Sequence, residues 1–428
     1  MQKMNWLFLG GYDPAYQRNV IIRKGLLAHG DTVAEYPADP SFKVWLRYPL
    51  LLAKIAVRAG ACHAARSGTW TDARTCARAG TRRQAWTGAI PAARSGARPA
   101  APRFPLASAD AIYVPAFCQK DVPLARFLAT LIARPVVFDP LAPRYETKIL
   151  DRRRRPADSL TARWNWWIDA LAFRLSDIVL ADTAAHAAYY ASAYGVPTCK
   201  LVVVPVGYDD ALFDPDRMSV APAPAAARAS ASDLGRPVVA GAPFTVLFFG
   251  SFLPLHGVDA VVEAARAVLR RDPAISFRFV GSGDTWARAR ALASDLGATN
   301  CSFEPWVPQA ALPALVASAD VALGIFGRTD KARRVVPHKL FQSLGMRKPV
   351  ITARTPAVEE FFAHGENIWL CDEPYAETLA DAVVRLKADA ALRERLAADG
   401  YRTVKERFTP AAIAARLRGQ VSDCSRRL

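Results

Sequence analysis

The chain has 428 residues, enough for two domains, and a formal net charge of +17. No uncharged apolar run reaches the ~18 residues that a spanning helix needs, so we expect no transmembrane segment. The run from Met1 to Gly10 lacks the basic-then-apolar pattern of a signal peptide. Seven scattered cysteines without paired spacing argue against a disulfide framework and a zinc site, which favours a reducing, cytoplasmic setting.

The basic excess has three candidate partners: nucleic acid, an anionic membrane surface and phosphorylated small molecules. A solvated basic surface without a specific partner is the alternative. The chain carries no nucleic-acid recognition motif, so we expect no nucleic-acid partner.

The first half opens as a doubly wound parallel sheet does. An apolar run over residues 4–10 ends in Gly10-Gly11, helical spacing follows over 18–30, and a second strand covers 32–36. Further strands are predicted at 111–115, 135–139, 177–182 and 201–206, with a helix over 122–133. We therefore assign residues 1–217 to an N-terminal Rossmann-like domain.

Two segments depart from this pattern. Residues 59–103 consist mainly of Ala, Arg, Gly and Thr without helical or strand periodicity, so we expect an irregular insert. A basic arm and a shifted reading frame are the two explanations for it. Residues 218–243 are rich in Ala, Pro and Ser, which predicts an interdomain linker.

A second αβ series occupies residues 244–405. Strands are predicted at 244–249, 276–280, 302–303, 321–325 and 349–352, and helices at 258–271, 286–296, 310–319, 336–345 and 379–396. We expect the tail, 406–428, to return to the N-terminal domain. Two doubly wound domains place a ligand cleft between the carboxyl ends of their sheets.

Glycines and cations mark the second domain's candidate site. Gly250 to Gly257 lie between a strand and a helix, where free amides can face a phosphate, although a purely structural turn explains them equally. Gly281 and Gly283 repeat this arrangement. The next loop carries clustered cations suited to a diphosphate leaving group: Arg328, Lys331, Arg333, Arg334 and Lys339. A solvated basic loop is the alternative.

Ordered motifs over residues 246–408 resemble those of the retaining GT-B glycosyltransferases of the group 1 (family 4) kind. They include GSFLPLHGVDAVVEAA, FRFVGSGD, PHKLFQSLGMRKPVI and TPAVEEFFAHGENIWL, and VVVPVGYDDALFDP matches the end of the family's first domain. The resemblance implies an α/β fold of two Rossmann-like domains facing across a cleft. It also implies sugar transfer from a nucleotide-sugar donor with retention of configuration, without a metal ion or another cofactor.

Several family positions differ here. The phosphate-binding Arg and Lys fall on Ser251 and His256, and the two glutamates of the Glu-x7-Glu motif fall on Arg334 and Gln342. We therefore expect Lys339, Arg334 and Lys331 to act as the catalytic cations. The donor-binding set implied by the resemblance is Gly250, Ser251, His256, Gly257, Gly281, Gly283, Trp306, Val307, Gly327, Pro337, Gln342 and Glu360.

The acceptor side is less defined. Gly10 and Gly11 are expected to face the cleft, and Asp139 and Tyr145 follow a predicted strand, although Asp139 also suits a turn or a helix cap. The acceptor class implied is a glycan or a lipid-linked glycan. Residues 43–58 mix apolar and basic side chains as an interfacial helix does, and 151–156 add a basic spot, so peripheral membrane association is expected. A core helix with snorkelling basic ends remains the alternative.

Other functions stay open. A GT-B sugar-nucleotide epimerase or hydrolase would need positioned carboxylates, which the altered motif lacks. A non-catalytic nucleotide-sugar-binding or membrane-scaffold protein would fit the lost motif residues, but the dense cation cluster argues for catalysis.

Overall fold

The structure is a computed structural model. It describes residues 3–39, 41, 43–67, 106–218 and 244–425. These residues form two six-stranded sheets in which the strand pairs are parallel. The first sheet comprises β1 (Asn5–Gly10), β2 (Thr32–Pro37), β3 (Ala111–Val114), β4 (Val136–Phe138), β5 (Ile178–Ala181) and β6 (Leu201–Val203). The second comprises β7 (Phe244–Ser251), β8 (Ile275–Ser282), β9 (Cys301–Glu304), β10 (Val321–Leu323), β11 (Val350–Ala353) and β12 (Trp369–Cys371).

The strand orders place a ligand crevice in each sheet. They are β2-β1-β3-β4-β5-β6 and β12-β11-β10-β7-β8-β9. The order reverses beside β1 in the first sheet and beside β7 in the second, and ligands of doubly wound folds bind at the carboxyl ends of strands at such points. The predicted fold class, two doubly wound α/β domains, is confirmed.

Helices flank both sheets. In the first half they are α1 (Gln17–Ala28), α2 (Val44–Ser67), α3 (Val122–Ile132), α4 (Leu160–Leu175), α5 (Ala184–Tyr194) and α6 (Pro215–Met218), with a π-helical turn at Glu146–Asp151. In the second half they are α7 (Val258–Arg271), α8 (Trp286–Asp295), α9 (Leu312–Ala317), α10 (His338–Gly345), α11 (Pro356–Glu359), α12 (Tyr375–Ala388), α13 (Ala390–Arg407) and α14 (Pro410–Ser425). Strands such as β1, with Trp6 to Leu9 fully buried, are apolar on both faces because helices cover both sides.

The structure differs from the sequence prediction in a few elements. Helices α4 and α5 and strand β12 were not predicted. The helix predicted over 379–396 is two helices, because Asp389 ends α12 and its side chain accepts a hydrogen bond from the Leu392 N–H, 2.9 Å away, as the N-cap of α13. Helix α2 continues to Ser67, into the segment predicted as irregular. Residues 68–105, which hold the rest of that segment, and residues 219–243 of the predicted linker lie outside the described residues.

The C-terminal helix crosses back to the first half. Helix α14 lies so close to α1 that a Cβ on Gly25 would come within 1.9 Å of the Pro410 carbonyl oxygen. A buried ion pair joins Arg418 of α14 to Asp31, with 2.9 Å between Nε and Oδ2.

Candidate functional site

Loops at the carboxyl ends of the two sheets meet at the boundary between the halves. Residues after β4 and β5 contact residues after β10 and β11. The Thr183 hydroxyl donates to the Arg334 carbonyl oxygen, and a Glu360 carboxylate oxygen accepts from the Ala184 N–H at 2.7 Å. The cleft expected of two facing doubly wound sheets is therefore lined by both halves of the chain.

Lys339 is a buried cation of this region. It lies in the first turn of α10, after the N-cap Pro337, and is only 6% exposed. Its Nζ is 3.6 Å from the centroid of the Phe248 ring and has no hydrogen-bond partner among the described residues. A Cβ on Gly250 would lie 3.8 Å from this Nζ, which places the ammonium over the end of β7.

Burial without a counter-ion sets the electrostatics here. It lowers the pKa of Lys339 well below its usual value. Burial, and then the charge of Lys339, also lowers the pKa of His256 well below its usual range, so the imidazole is neutral at physiological pH. Ser251 is exposed at the end of β7. Together these groups form a pocket edge at which no described carboxylate pairs with the Lys339 ammonium.

Four of the predicted donor-site glycines make close backbone contacts. A Cβ on Gly281 would lie 1.9 Å from the Gly250 carbonyl oxygen, and one on Gly257 would lie 2.2 Å from the Phe326 carbonyl carbon. Gly283 and Gly327 are equally confined, by the backbones of Phe252 and Leu255. These glycines let the loops after β7, β8 and β10 pack together and so shape the pocket indirectly.

The other two predicted catalytic cations bind the opposite half. Arg334 Nη1 is 3.0 Å from Glu146 Oε1, and the guanidinium carbon lies 4.1 Å from the centroid of the Tyr189 ring. Lys331 Nζ donates to Thr147 Oγ1 at 2.9 Å. Both contacts reach the π-helical turn that follows β4. The loop from Arg328 to Arg334, which we name the cation loop, thus joins the halves. Of the three predicted catalytic cations, Lys339 alone lacks a hydrogen-bond partner among the described residues.

Glu146 belongs to a buried chain of charges that the sequence analysis missed. Its Oε2 is 3.1 Å from His186 Nε2, and His186 Nδ1 is 2.6 Å from Asp182 Oδ1. Burial alone raises the pKa of Glu146, but the charges of His186, Lys331 and Arg334 outweigh it and hold the pKa below its usual value. The i,i+4 spacing of Asp182 and His186, at the start of α5, was the one signal available in the sequence.

The His186 imidazole should make stability depend on pH. Burial lowers its pKa, but the carboxylates of Asp182 and Glu146 outweigh burial and raise it to about 9 from 6.5. The charged imidazole therefore stabilises the fold fully below the pKa of His186 in the unfolded state. This stabilisation is lost as pH rises through its pKa in the folded state, about 9. Urea unfolding across this range should show the stability advantage of wild type over His186→Gln declining toward pH 9. The exposed control His29→Gln should keep the wild-type profile, and a pH-independent effect of His186→Gln would contradict the prediction.

The remaining donor-site predictions lie around α10 and the cleft rim. Gln342 is buried one turn after Lys339. Glu360 is half-buried, and burial raises its pKa, although the Ala184 N–H partly offsets this. Trp306 is 42% exposed, and Val307 packs against the core.

On the acceptor side the structure gives two predicted residues internal partners. Asp139 is fully buried, with Oδ2 2.7 Å from Arg18 Nε and 2.8 Å from the Tyr113 hydroxyl, so it fixes α1 to the sheet instead of lining open space. The Gly11 N–H donates to Asp121 Oδ2 at 2.9 Å.

Gly10 and Tyr145 have different surroundings. A Cβ on Gly10 would lie 3.0 Å from Cys118 Sγ, so the turn after β1 packs closely on the segment after β3. Tyr145 is half-buried and lines an aromatic cavity beside the cleft.

Helix α2, the predicted interfacial helix, is partly docked on the protein. Arg47 is buried and its Nη1 is 3.2 Å from Asp121 Oδ2, so it is not the surface cation that the sequence predicted. Leu51 is buried, Lys54 donates to the Pro37 carbonyl, and Leu50 is exposed. Within the described part of the chain, each helix is too short or too polar to cross a membrane.

A cationic cavity of about 870 Å³ opens between the halves. The π-helical turn, the loop of Arg153 to Arg155, and the cation loop from Arg328 to Arg334 line it. Residues 3–67, 106–218 and 244–425, as far as they are described, contain no group of three or more His, Cys, Asp or Glu placed to hold a metal ion. The cavity is suited to an anionic ligand.

Parts of the chain are similar to known glycosyltransferases. A family described as "Glycosyl transferase-like" matches residues 261–419. The lipopolysaccharide core biosynthesis glycosyltransferase LpsE of Rhizobium meliloti is 28% identical over 169 residues, 39% of this chain and 46% of that protein. The D-inositol 3-phosphate glycosyltransferase of Thermomonospora curvata is 29% identical over 237 residues, 53% of this chain and 52% of that protein. The chain thus spans about half the length of these relatives.

Solved structures share the whole fold. HepE of Anabaena, solved in complex with UDP and glucose, superposes with a TM-score of 0.63 at 17% identity, over 98% of this chain and all of HepE. The described residues of both halves therefore have the predicted GT-B architecture.

Proposed function

We propose that the protein is a glycosyltransferase that moves a sugar from a nucleotide diphosphate donor to a glycan or lipid-linked acceptor. Retention of anomeric configuration and a hexosyl donor are parts of this proposal, carried by the resemblance to family 4. UDP-sugars are the first candidates because HepE was solved with UDP and glucose. The cysteine usage favours the cytoplasm as the compartment.

The buried, unpartnered ammonium of Lys339 at the end of β7 is the observation that carries the proposal. A diphosphate placed over Gly250 would supply the missing counter-charge. Bond breaking between sugar and diphosphate develops negative charge on the leaving group, and a preorganised cation in a dry pocket stabilises that charge strongly. In the proposed reaction Lys339, with the N-terminal turn of α10, takes the part that a metal ion plays elsewhere.

The other side chains have supporting roles in the proposal. Gln342, one turn along α10, offers an amide to a ribose hydroxyl. By the resemblance, Glu360 takes the motif position of the family's glutamate near the donor sugar. Arg334 and Lys331 complete the positive potential from the cation loop.

Turnover on a panel of nucleotide sugars tests the proposal. The protein should hydrolyse one donor slowly and transfer its sugar when an acceptor extract is added, and the anomeric configuration of the product reports retention. Absence of turnover with every donor and extract would overturn it.

A non-catalytic nucleotide-sugar-binding protein is the second candidate. It is favoured by the pairing of Arg334 with Glu146, which leaves that cation already neutralised. Such a protein would bind a nucleotide sugar at equilibrium without consuming it.

Binding of UDP should be accompanied by proton uptake. Burial lowers the pKa of Lys339 in the free protein, and a bound diphosphate would raise it. At a pH between the free-protein pKa and the bound-state pKa, Lys339 therefore takes up a proton when UDP binds. Affinity should then fall as pH rises through that window. Calorimetry in two buffers of different ionisation enthalpy, above the pKa of the UDP phosphate, measures the uptake. Lys339→Met should abolish it, and equal heats in both buffers for wild type would contradict the prediction.

A further inference from the structure

Helix α4 exposes a row of large apolar side chains. Leu160 is 82% exposed, Trp164 56% and Trp167 49%, and Arg163 stands beside them. Their spacing of three, four and seven residues puts them on one side of the helix. We name Leu160, Arg163, Trp164 and Trp167 the tryptophan face.

The tryptophan face is not needed to hold α4 in place. The opposite side of the helix, including Ile168, Asp169 and Phe173, is buried against the first half. The two indoles stack on each other, with ring centroids 5.2 Å apart and planes at 14°. With Tyr145 and Ala157 they border a shallow cavity of about 570 Å³. Exposed apolar surface of this kind marks an interaction site.

Positive charge surrounds the face. The loop that leads into α4 carries four consecutive arginines, Arg152 to Arg155, and Asp158 is the single acidic residue between them and Trp164. Arg153 to Arg155 are exposed, as is Arg163. Tryptophan prefers the headgroup level of a bilayer, and clustered arginines attract anionic lipid. Aromatic and basic side chains in one exposed patch match an anionic membrane surface better than a neutral partner.

We propose that the tryptophan face and the Arg152–Arg155 loop dock the protein on an anionic lipid bilayer. Helix α2 is less suited to this contact because its Arg47 is buried in an ion pair. Ala157 borders both the cavity under the tryptophan face and the cationic cavity between the halves. A bilayer docked there lies at the mouth of the cleft, within reach of a membrane-anchored acceptor if the proposed transfer reaction is correct.

Vesicle binding by the full chain tests the docking independently of any activity. We expect co-sedimentation with vesicles of mixed phosphatidylglycerol and phosphatidylcholine, weakening as salt rises, and a blue shift of tryptophan emission. Phosphatidylcholine vesicles alone should retain little protein. The double variant W164S/W167S should lower the partition coefficient by at least ~10-fold, because two indoles no longer enter the interface. R153S/R155S should lower it for anionic vesicles only.

Matched controls make the outcome decisive. W306S removes an exposed tryptophan of the second half and should leave vesicle binding unchanged. The variants of exposed residues should keep the wild-type unfolding midpoint. Absence of binding to anionic vesicles, equal binding to neutral ones, or an equal loss in W306S would overturn the proposal. So would a concentration-dependent dimer that W164S/W167S abolishes, because the face would then bind a second copy of the chain.

Discussion

Replacing Lys339 with methionine is expected to lower the turnover number of the proposed sugar transfer by ~10²–10³-fold. Methionine keeps the apolar stem against Phe248 but removes the charge that would face the leaving diphosphate. The loss should fall mainly on kcat, because charge builds up on the diphosphate as the bond to the sugar breaks. Steady-state kinetics with the best donor of the panel measures it.

Stability should change in the opposite direction in the same variant. A buried ammonium without a counter-ion costs folding free energy, so Lys339→Met should unfold at an equal or higher urea concentration than wild type. Lys405→Ala, a change at an exposed lysine of α13, should leave turnover unchanged. A merely structural role for Lys339 predicts the reverse: lower stability with unaltered turnover of the folded fraction.

Replacing Glu146 with glutamine is expected to lower the free energy of unfolding by about 3 kcal/mol. The carboxylate has a partner on each oxygen, Arg334 on one and His186 on the other, and all three groups are largely removed from water. A neutral amide leaves both cations without their shared counter-charge, and removing one partner of a buried pair is costly for this reason. Urea unfolding at neutral pH measures the loss.

A surface pair provides the matched control. Glu359→Gln breaks an ion pair with Arg354 whose two side chains are 44% and 31% exposed, and it should cost less than ~1 kcal/mol. A double-mutant cycle of Glu146→Gln with Arg334→Met isolates the coupling between the halves. Equal losses in Glu146→Gln and Glu359→Gln would mean that water reaches Glu146 freely.

Much of the fold follows from local patterns. Short apolar runs predicted most of the strands, because a strand covered on both faces needs apolar residues throughout. Helix α4 was missed because its tryptophans are spread over more than one side, which hides the usual two-faced pattern. The break at Asp389 was missed because helical spacing continues through it and only the capping geometry reveals two helices.

The candidate site was less predictable than the fold. Lys339 and Gln342 could be proposed because a family motif covers them. Glu146 and its partner His186 could not, because no local spacing shows that Glu146 meets Arg334 at the boundary between the halves. Arg334 stands where the family that the chain resembles has a glutamate, and the opposite half brings the Glu146 carboxylate to it.

Two kinds of contact around the cleft respond differently to domain opening. Lys339 and Phe248 belong to the same half, so their geometry survives a hinge rotation. Glu146 and Arg334 belong to different halves, so their ion pair must break when the halves separate. An open form would therefore keep the contact of Lys339 with Phe248, while Arg334 would lose its carboxylate partner. Closure would restore the pair, and the cross-domain carboxylate of Glu146 would then act as a latch between the halves.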